Sequence, residues 1–366
     1  MTDTMEAPGT TADELVGRLF GAAIGMFDVM SVYLGDRLGL YRALRDGGPA
    51  TFTELASRAG IAERYAREWL EQQATTGFLV VNDAAAPPAD RRFTLPATYA
   101  KPLLDPDSPW SIAPLGRSVV ACAKAIPDVL EAFRTGGGVD WTAYGADMIE
   151  AQGDFNRPWL RGRLGSEILP ALPDVHARLS ADAPARVADV ACGVGWAAIA
   201  IATAYPNVRV DGFDLDPSSI ELARAHAREA GVADRVTFAV RDAADPAAAG
   251  QYDLAIVVEA IHDLSHPVKV LAAIRGMLAP GGVALIADEK TEDAFTAPGG
   301  ELERMFYGFS IFTCLPAAMT EPDSAGTGTA IRAGTMRGYA EAAAFRGFDR
   351  LDEPELDALR LYRLTP

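Results

Sequence analysis

From residue 186 onward the chain falls into a repeating order that few folds accommodate. Apolar runs of strand length at 187–191, 208–213, 236–240, 254–258 and 283–287 are separated by helical stretches. Strands covered on both faces read as near-continuous Val, Ile, Leu and Ala, and a helix between successive strands makes them parallel neighbours. The expected fold class is α/β, a Rossmann-like doubly wound sheet that binds ligands at the carboxyl ends of its strands. A helix at 336–345 and runs at 348–351 and 359–364 would complete the sheet.

A chain of 366 residues exceeds what one compact core usually holds, so more than one unit is expected. Residues 1–10 read as a disordered tail. Residues 11–105 read as a winged-helix layout of helices followed by a hairpin. Leu34, Leu38, Tyr41 and Leu44 share one helix face. Thr51 and Glu54 have capping-box spacing, and Gly60 and Gly77 are helix stops. The hairpin strands lie at 78–81 and 92–95. Residues 106–180 read as a helical connector and 181–366 as the ligand-binding domain. An insertion at 291–335 is expected to form a lid, with Phe295, Phe306, Tyr307, Phe309 and Phe312 available to line an apolar pocket.

The formal net charge is −17, from 50 acidic against 33 basic residues, which disfavours nucleic acid and anionic lipid as partners. The helix that would read DNA in a winged-helix domain sets Glu63, Glu68 and Glu71 against Arg64 and Arg67, so it has no basic face. Cys122, Cys192 and Cys314 are widely separated, as suits a reducing cytoplasm, and form neither a disulfide framework nor a Cys-rich metal site. No uninterrupted apolar run approaches ~20 residues, so no membrane span is expected. The acidic, polar start lacks the layout of a signal peptide.

Each of the first four strands runs into residues that carry chemistry. The turn Asp189-Val-Ala-Cys-Gly-Val-Gly-Trp196 offers backbone N–H groups to a ligand through Gly193 and Gly195. It lacks the third Gly of a dinucleotide fingerprint, because Trp196 stands there. Asp214, at the end of the next strand, is placed to accept hydrogen bonds from both hydroxyls of a ribose, while Asp216 and Pro217 open a helix. Asp242, with Ala243 beside it, is placed to meet an adenine ring. After the fourth strand, Glu259 can hold an amino-acid end or face a cation, and His262 and Asp263 follow. Neutral imidazole takes protons near neutral pH, so His262 is a candidate general base. His262 and His266 are four apart and could share a helix face as metal ligands, but Pro267 suggests that a helix begins only near Ser265, so no metal is expected. Tyr144 is a further candidate for cofactor contact.

Taken together, residues 186–290 resemble the class I S-adenosylmethionine-dependent methyltransferases, whose Asp-x-Gly-x-Gly-x-Gly turn has Ala191 at its first Gly here. The resemblance implies a seven-stranded sheet with its last pair reversed. It also implies that Ala191, Gly193 and Gly195 pack on the methionine part of S-adenosylmethionine, Asp214 and Leu215 on the ribose and adenine, and Asp242 and Ala243 on the adenine. The N-terminal part resembles the winged-helix domain of a group of bacterial methyltransferases, which implies a homodimer interface. The placement of His262 and Asp263, with Glu289 as a flanking acid, is similar to small-molecule O-methyltransferases, although Leu264 replaces the Trp that follows the pair there. The implied function is O-methylation of a small acceptor in secondary metabolism, leaving S-adenosylhomocysteine. Alternatives are N- or C-methylation by positioning alone, a nicotinamide-dependent oxidoreductase, or a ligand-sensing winged-helix regulator.

Overall fold

The computed structural model describes residues 11–245 and 250–366; the expected disordered tail at 1–10 lies outside them. The chain divides into two compact units, Met1–Val120 and Ala121–Pro366. The boundary falls inside a helix, so the stretch expected to be a separate connector is shared between them.

The first unit opens with α1 (Ala12–Arg37), capped by a reciprocal Thr11–Glu14 box. Gly39 then adopts a left-handed conformation and turns the chain into α2 (Leu40–Gly47). The expected Thr51–Glu54 box caps α3 (Phe52–Ala59), and α4 (Glu63–Thr75) follows. The strands β1 (Val80–Val81) and β2 (Phe93–Thr94) form the short hairpin of the wing, and α5 (Ala97–Leu104) and α6 (Pro114–Thr135) continue the chain. Leu40, Tyr41, Leu44, Leu55, Trp69 and Leu70 pack into this unit's core. On α4, Arg64 pairs with Glu68, and Arg67 with Glu71 at 3.1 Å. Its positive charges are thus answered by its own acids.

The absence of a long apolar run did not anticipate α1. Its most apolar stretch has a mean hydropathy of 1.5, and the helix is long enough to cross a membrane. Interruptions by Arg18 and Asp28 hid this from a search for continuous runs. Leu15, Val16, Leu19, Phe20, Ile24 and Phe27 are 48–69% exposed within the chain.

The second unit begins with helical turns: α7 (Gly145–Trp159) runs through a π-helical stretch (Leu160–Ile168) to α8 (Pro173–Leu179). The sheet domain then alternates β3 (Arg186–Val190), α9 (Trp196–Ala204), β4 (Arg209–Asp214), α10 (Pro217–Glu229), β5 (Val236–Val240), β6 (Tyr252–Val258), α11 (Pro267–Met277) and β7 (Leu278–Glu289). After the insertion, with α12 (Glu301–Phe309) and α13 (Leu315–Ala318), come α14 (Ala333–Ala342), β8 (Gly347–Leu351) and β9 (Leu359–Thr365). The seven strands lie in the order β5-β4-β3-β6-β7-β9-β8, parallel except that β9 is antiparallel to both neighbours. The strand order reverses direction between β3 and β6, opening a crevice at their carboxyl ends. Val187, Val210, Leu254 and Leu285 face one helical layer, and Ala188, Ala255, Ala284 and Ile286 the other.

Candidate active site

A cavity of about 610 Å³ occupies that crevice, within the usual range for small-molecule sites. Asp189, Ala191, Gly193, Gly195, Asp214, Leu215, Asp242, Ala243, Glu259 and Asp263 all line it. The strand-end residues singled out in the sequence therefore converge, with the exceptions of His262 and Glu289.

The first strand tip turns sharply. Ala191 has φ 54° and Gly193 φ 49°, which puts both in the left-handed region. Gly195 also has positive φ, and a Cβ there would come 2.6 Å from Phe238. Ala191 is the position where related turns carry Gly, and it pays a backbone strain that Gly would not. Replacing Ala191 with Gly should raise stability by about 1 kcal/mol. A thermal melt in which Ala191→Gly unfolds at or below the parent midpoint would contradict this.

Asp189 is buried; its Oδ2 accepts from the Ala198 N–H at 2.9 Å, tying β3 to the first turn of α9. Burial pushes its carboxyl up to about 7. Asp214 accepts from the Gly193 N–H at 2.8 Å and the Asp216 N–H at 2.9 Å, one on each oxygen. Its carboxylate thus braces two backbone turns while lining the cavity. Desolvation raises it, against the pull of those N–H groups. Asp242 accepts from the Ala244 N–H at 2.8 Å and shapes the third strand's turn. Leu215 is 65% exposed beside the cavity.

Glu259, with φ 48°, is held from α7: its Oε2 accepts from the amides of Gln152 at 2.6 Å and Asn156 at 2.5 Å. Desolvation raises its pKa despite these donors. Neither amide was anticipated, although four-residue spacing puts both on one helix face. Trp196 fills the place of a third Gly. His226 stacks on its ring at 4.3 Å and the Arg157 guanidinium lies 4.5 Å from it.

His262 is placed differently from expectation. It is 2% exposed and does not line the cavity. Its Nδ1 lies 2.6 Å from Asp288 Oδ1 and 2.8 Å from Glu289 Oε2; its Nε2 lies 3.1 Å from Asp263 Oδ1. Burial alone would lower the imidazole pKa, but Asp263, Glu289 and Asp288 together raise it well above the usual histidine range. Burial pushes Glu289 well above the carboxylate range, whereas Asp288, raised by burial, is brought below it by the imidazole and by bonds from Glu289. Asp288 escaped the sequence reading, which took only Glu289 from the end of β7.

Two other expectations fail. Tyr144 is buried, its hydroxyl 3.5 Å from the Thr313 carbonyl, and does not reach the cavity; Trp141 and Thr142 do. None of the five aromatics of the insertion lines the cavity. Phe295 is 73% exposed and Phe306 buried, and the insertion contributes Ala317, Thr320 and Glu321 instead.

Residues 187–282 match a methyltransferase domain family, and residues 23–104 an Rv2258c-like winged HTH domain family. The chain carries a methyltransferase domain. Its N-terminal unit carries the winged HTH domain. A trans-aconitate 2-methyltransferase of Methylobacterium radiotolerans is 32% identical over 36% of this chain and 48% of its own length. The first curated relatives are matched over only 24–48% of their length. Among solved structures, the mitomycin 7-O-methyltransferase MmcR superposes with a TM-score of 0.69 at 20% identity, covering 97% of this chain and 98% of its own. Human N-acetylserotonin methyltransferase, in complex with SAM, gives 0.68 at 16% identity over 99% of this chain and 100% of its own. At these identities the likeness is one of fold. Asp214 brings a carboxylate to the second strand tip, Glu259 follows the fourth, and the Ala191–Gly195 turn lines the cavity between them.

Proposed function

We propose that this chain transfers a methyl group from S-adenosylmethionine to the oxygen of a small acceptor in secondary metabolism, with His262 as the general base. S-adenosylmethionine supplies an electrophilic methyl carbon on a sulfonium. Asp214 holds the ribose hydroxyls, Asp242 and Ala243 border the adenine, and Glu259 meets the ammonium of the methionine part. Asp288 keeps a proton on Nδ1 of His262, so that Nε2 is the nitrogen left to act as base. The observation that carries the reading is the imidazole braced by Asp288 directly behind Asp263, which lines a cavity of nucleoside size. A base of this kind serves to deprotonate a hydroxyl, which favours oxygen. Calorimetry with S-adenosylmethionine and S-adenosylhomocysteine, followed by methylation of a panel of phenols, tests this. Failure to bind either compound would end it.

The apolar sides of α1 support a homodimer, because so much exposed Leu, Val and Phe requires a cover. Placing charge there, as in Leu19→Glu with Phe20→Lys, should weaken self-association at least ~100-fold by loss of burial. Sedimentation that finds the variant as associated as the parent would count against a dimer through this helix. Three unpaired cysteines suit a cytoplasmic location.

A further inference from the structure

The His262 ring is walled off from the cavity, and Asp263 is the wall. The Asp263 side chain is 29% exposed and lines the cavity beside Glu259 and Leu264. Its Oδ1 is buried and, among the described residues, finds no hydrogen-bond donor besides the imidazole facing it. Every side of the ring is engaged. Asp263 faces it from its own turn, Asp288 and Glu289 from the end of β7, Cys314 from the turn before α13, and Glu259 from the end of β6. An acceptor in the cavity therefore meets a carboxylate first.

We infer that Asp263 is the residue that contacts the acceptor hydroxyl and passes its proton to His262. This rests on the methyl-transfer reading above. The acceptor O–H bond breaks and the proton goes to the Asp263 carboxylate. Neutral His262 takes it in turn on Nε2, leaving carboxylate and imidazolium. The electron pair freed on the acceptor oxygen forms the bond to the methyl carbon, and the pair of the old S–CH₃ bond stays on sulfur. His262 thus acts through Asp263, and Asp288 and Glu289 hold the ring in register for that transfer.

Two measurements test the relay, the first without any acceptor. In the ¹⁵N-labelled complex with S-adenosylhomocysteine near pH 6, the His262 Nε2 proton should exchange with water slowly. In Asp263→Ala it should exchange at least ~10-fold faster, because the group covering it is gone. Unprotected exchange in the parent would overturn the relay. The second uses a phenol that the parent methylates. Asp263→Asn and Asp263→Ala should each lose about 100-fold or more in kcat, with cofactor affinity kept, and added formate should restore part of the alanine variant's rate. Full turnover by Asp263→Ala would mean that the uncovered imidazole meets the acceptor directly, which also overturns the relay. Loss of cofactor binding by the parent would instead sink the methyl-transfer reading, and the exchange measurement repeated on the free protein would still decide where Asp263 stands.

Discussion

Asp214→Ala should bind S-adenosylmethionine at least ~100-fold more weakly than the parent, because charged hydrogen bonds contribute about 1.5–3 kcal/mol each and more than one is lost. The substitution removes the proposed acceptor for the ribose. It also removes the anchor for the Gly193 and Asp216 N–H groups, so the turns after β3 and β4 lose their common brace. Asp214→Asn keeps the shape but turns one acceptor into a donor facing backbone N–H, and should fall nearly as far. Calorimetry reads both. An unchanged dissociation constant in Asp214→Ala would mean that no sugar sits at this carboxylate. Asp242→Ala, in contrast, removes one exposed turn contact and should have a smaller effect.

The second large effect is on rate. His262→Ala should reduce turnover by roughly 10²–10⁴-fold while leaving cofactor affinity near that of the parent. The pH profile carries a sign. The acting form is the neutral ring, and the surrounding acids hold the folded pKa above the ordinary histidine value. The parent rate should therefore fall as pH drops through an apparent pKa above ~6.5, and the limb should vanish in His262→Ala. Asp288→Asn removes the counter-charge on Nδ1 and should move the limb to lower pH. A parent limb at or below the ordinary value would speak against the cluster's hold on the ring.

Much of this arrangement was legible in the sequence because it depends on local pattern. The strand at 236–240 is found where apolar periodicity put it, and the Thr51–Glu54 cap follows from two residues three apart. The residues proposed to meet the cofactor sit at strand ends, which are sequence landmarks. What escaped depends on distance along the chain. Gln152 and Asn156 reach Glu259 across more than a hundred residues, and only the packing of α7 on the sheet brings them there. Asp288 and Glu289 are neighbours at a strand end, and only the fold shows that both reach the His262 ring. The aromatics at 295–312 were hydrophobic enough for a pocket, but the chain between them coils so that small and polar residues at 317–321 face the cavity instead. The order of exposure of His262 and Asp263, adjacent in sequence, is set by a single turn after β6.

Trp196 has a consequence for what this turn can hold. Enzymes that hold two joined nucleotides keep the start of this helix bare, so that a diphosphate can settle on its amides. Here an indole stands there, with an imidazole stacked on it and a guanidinium over its ring. A single substitution to Gly would take away the ring that both of them meet before any diphosphate could gain a seat. The amides at the start of this helix are thus already crowded where the diphosphate of a hydride carrier would have to sit.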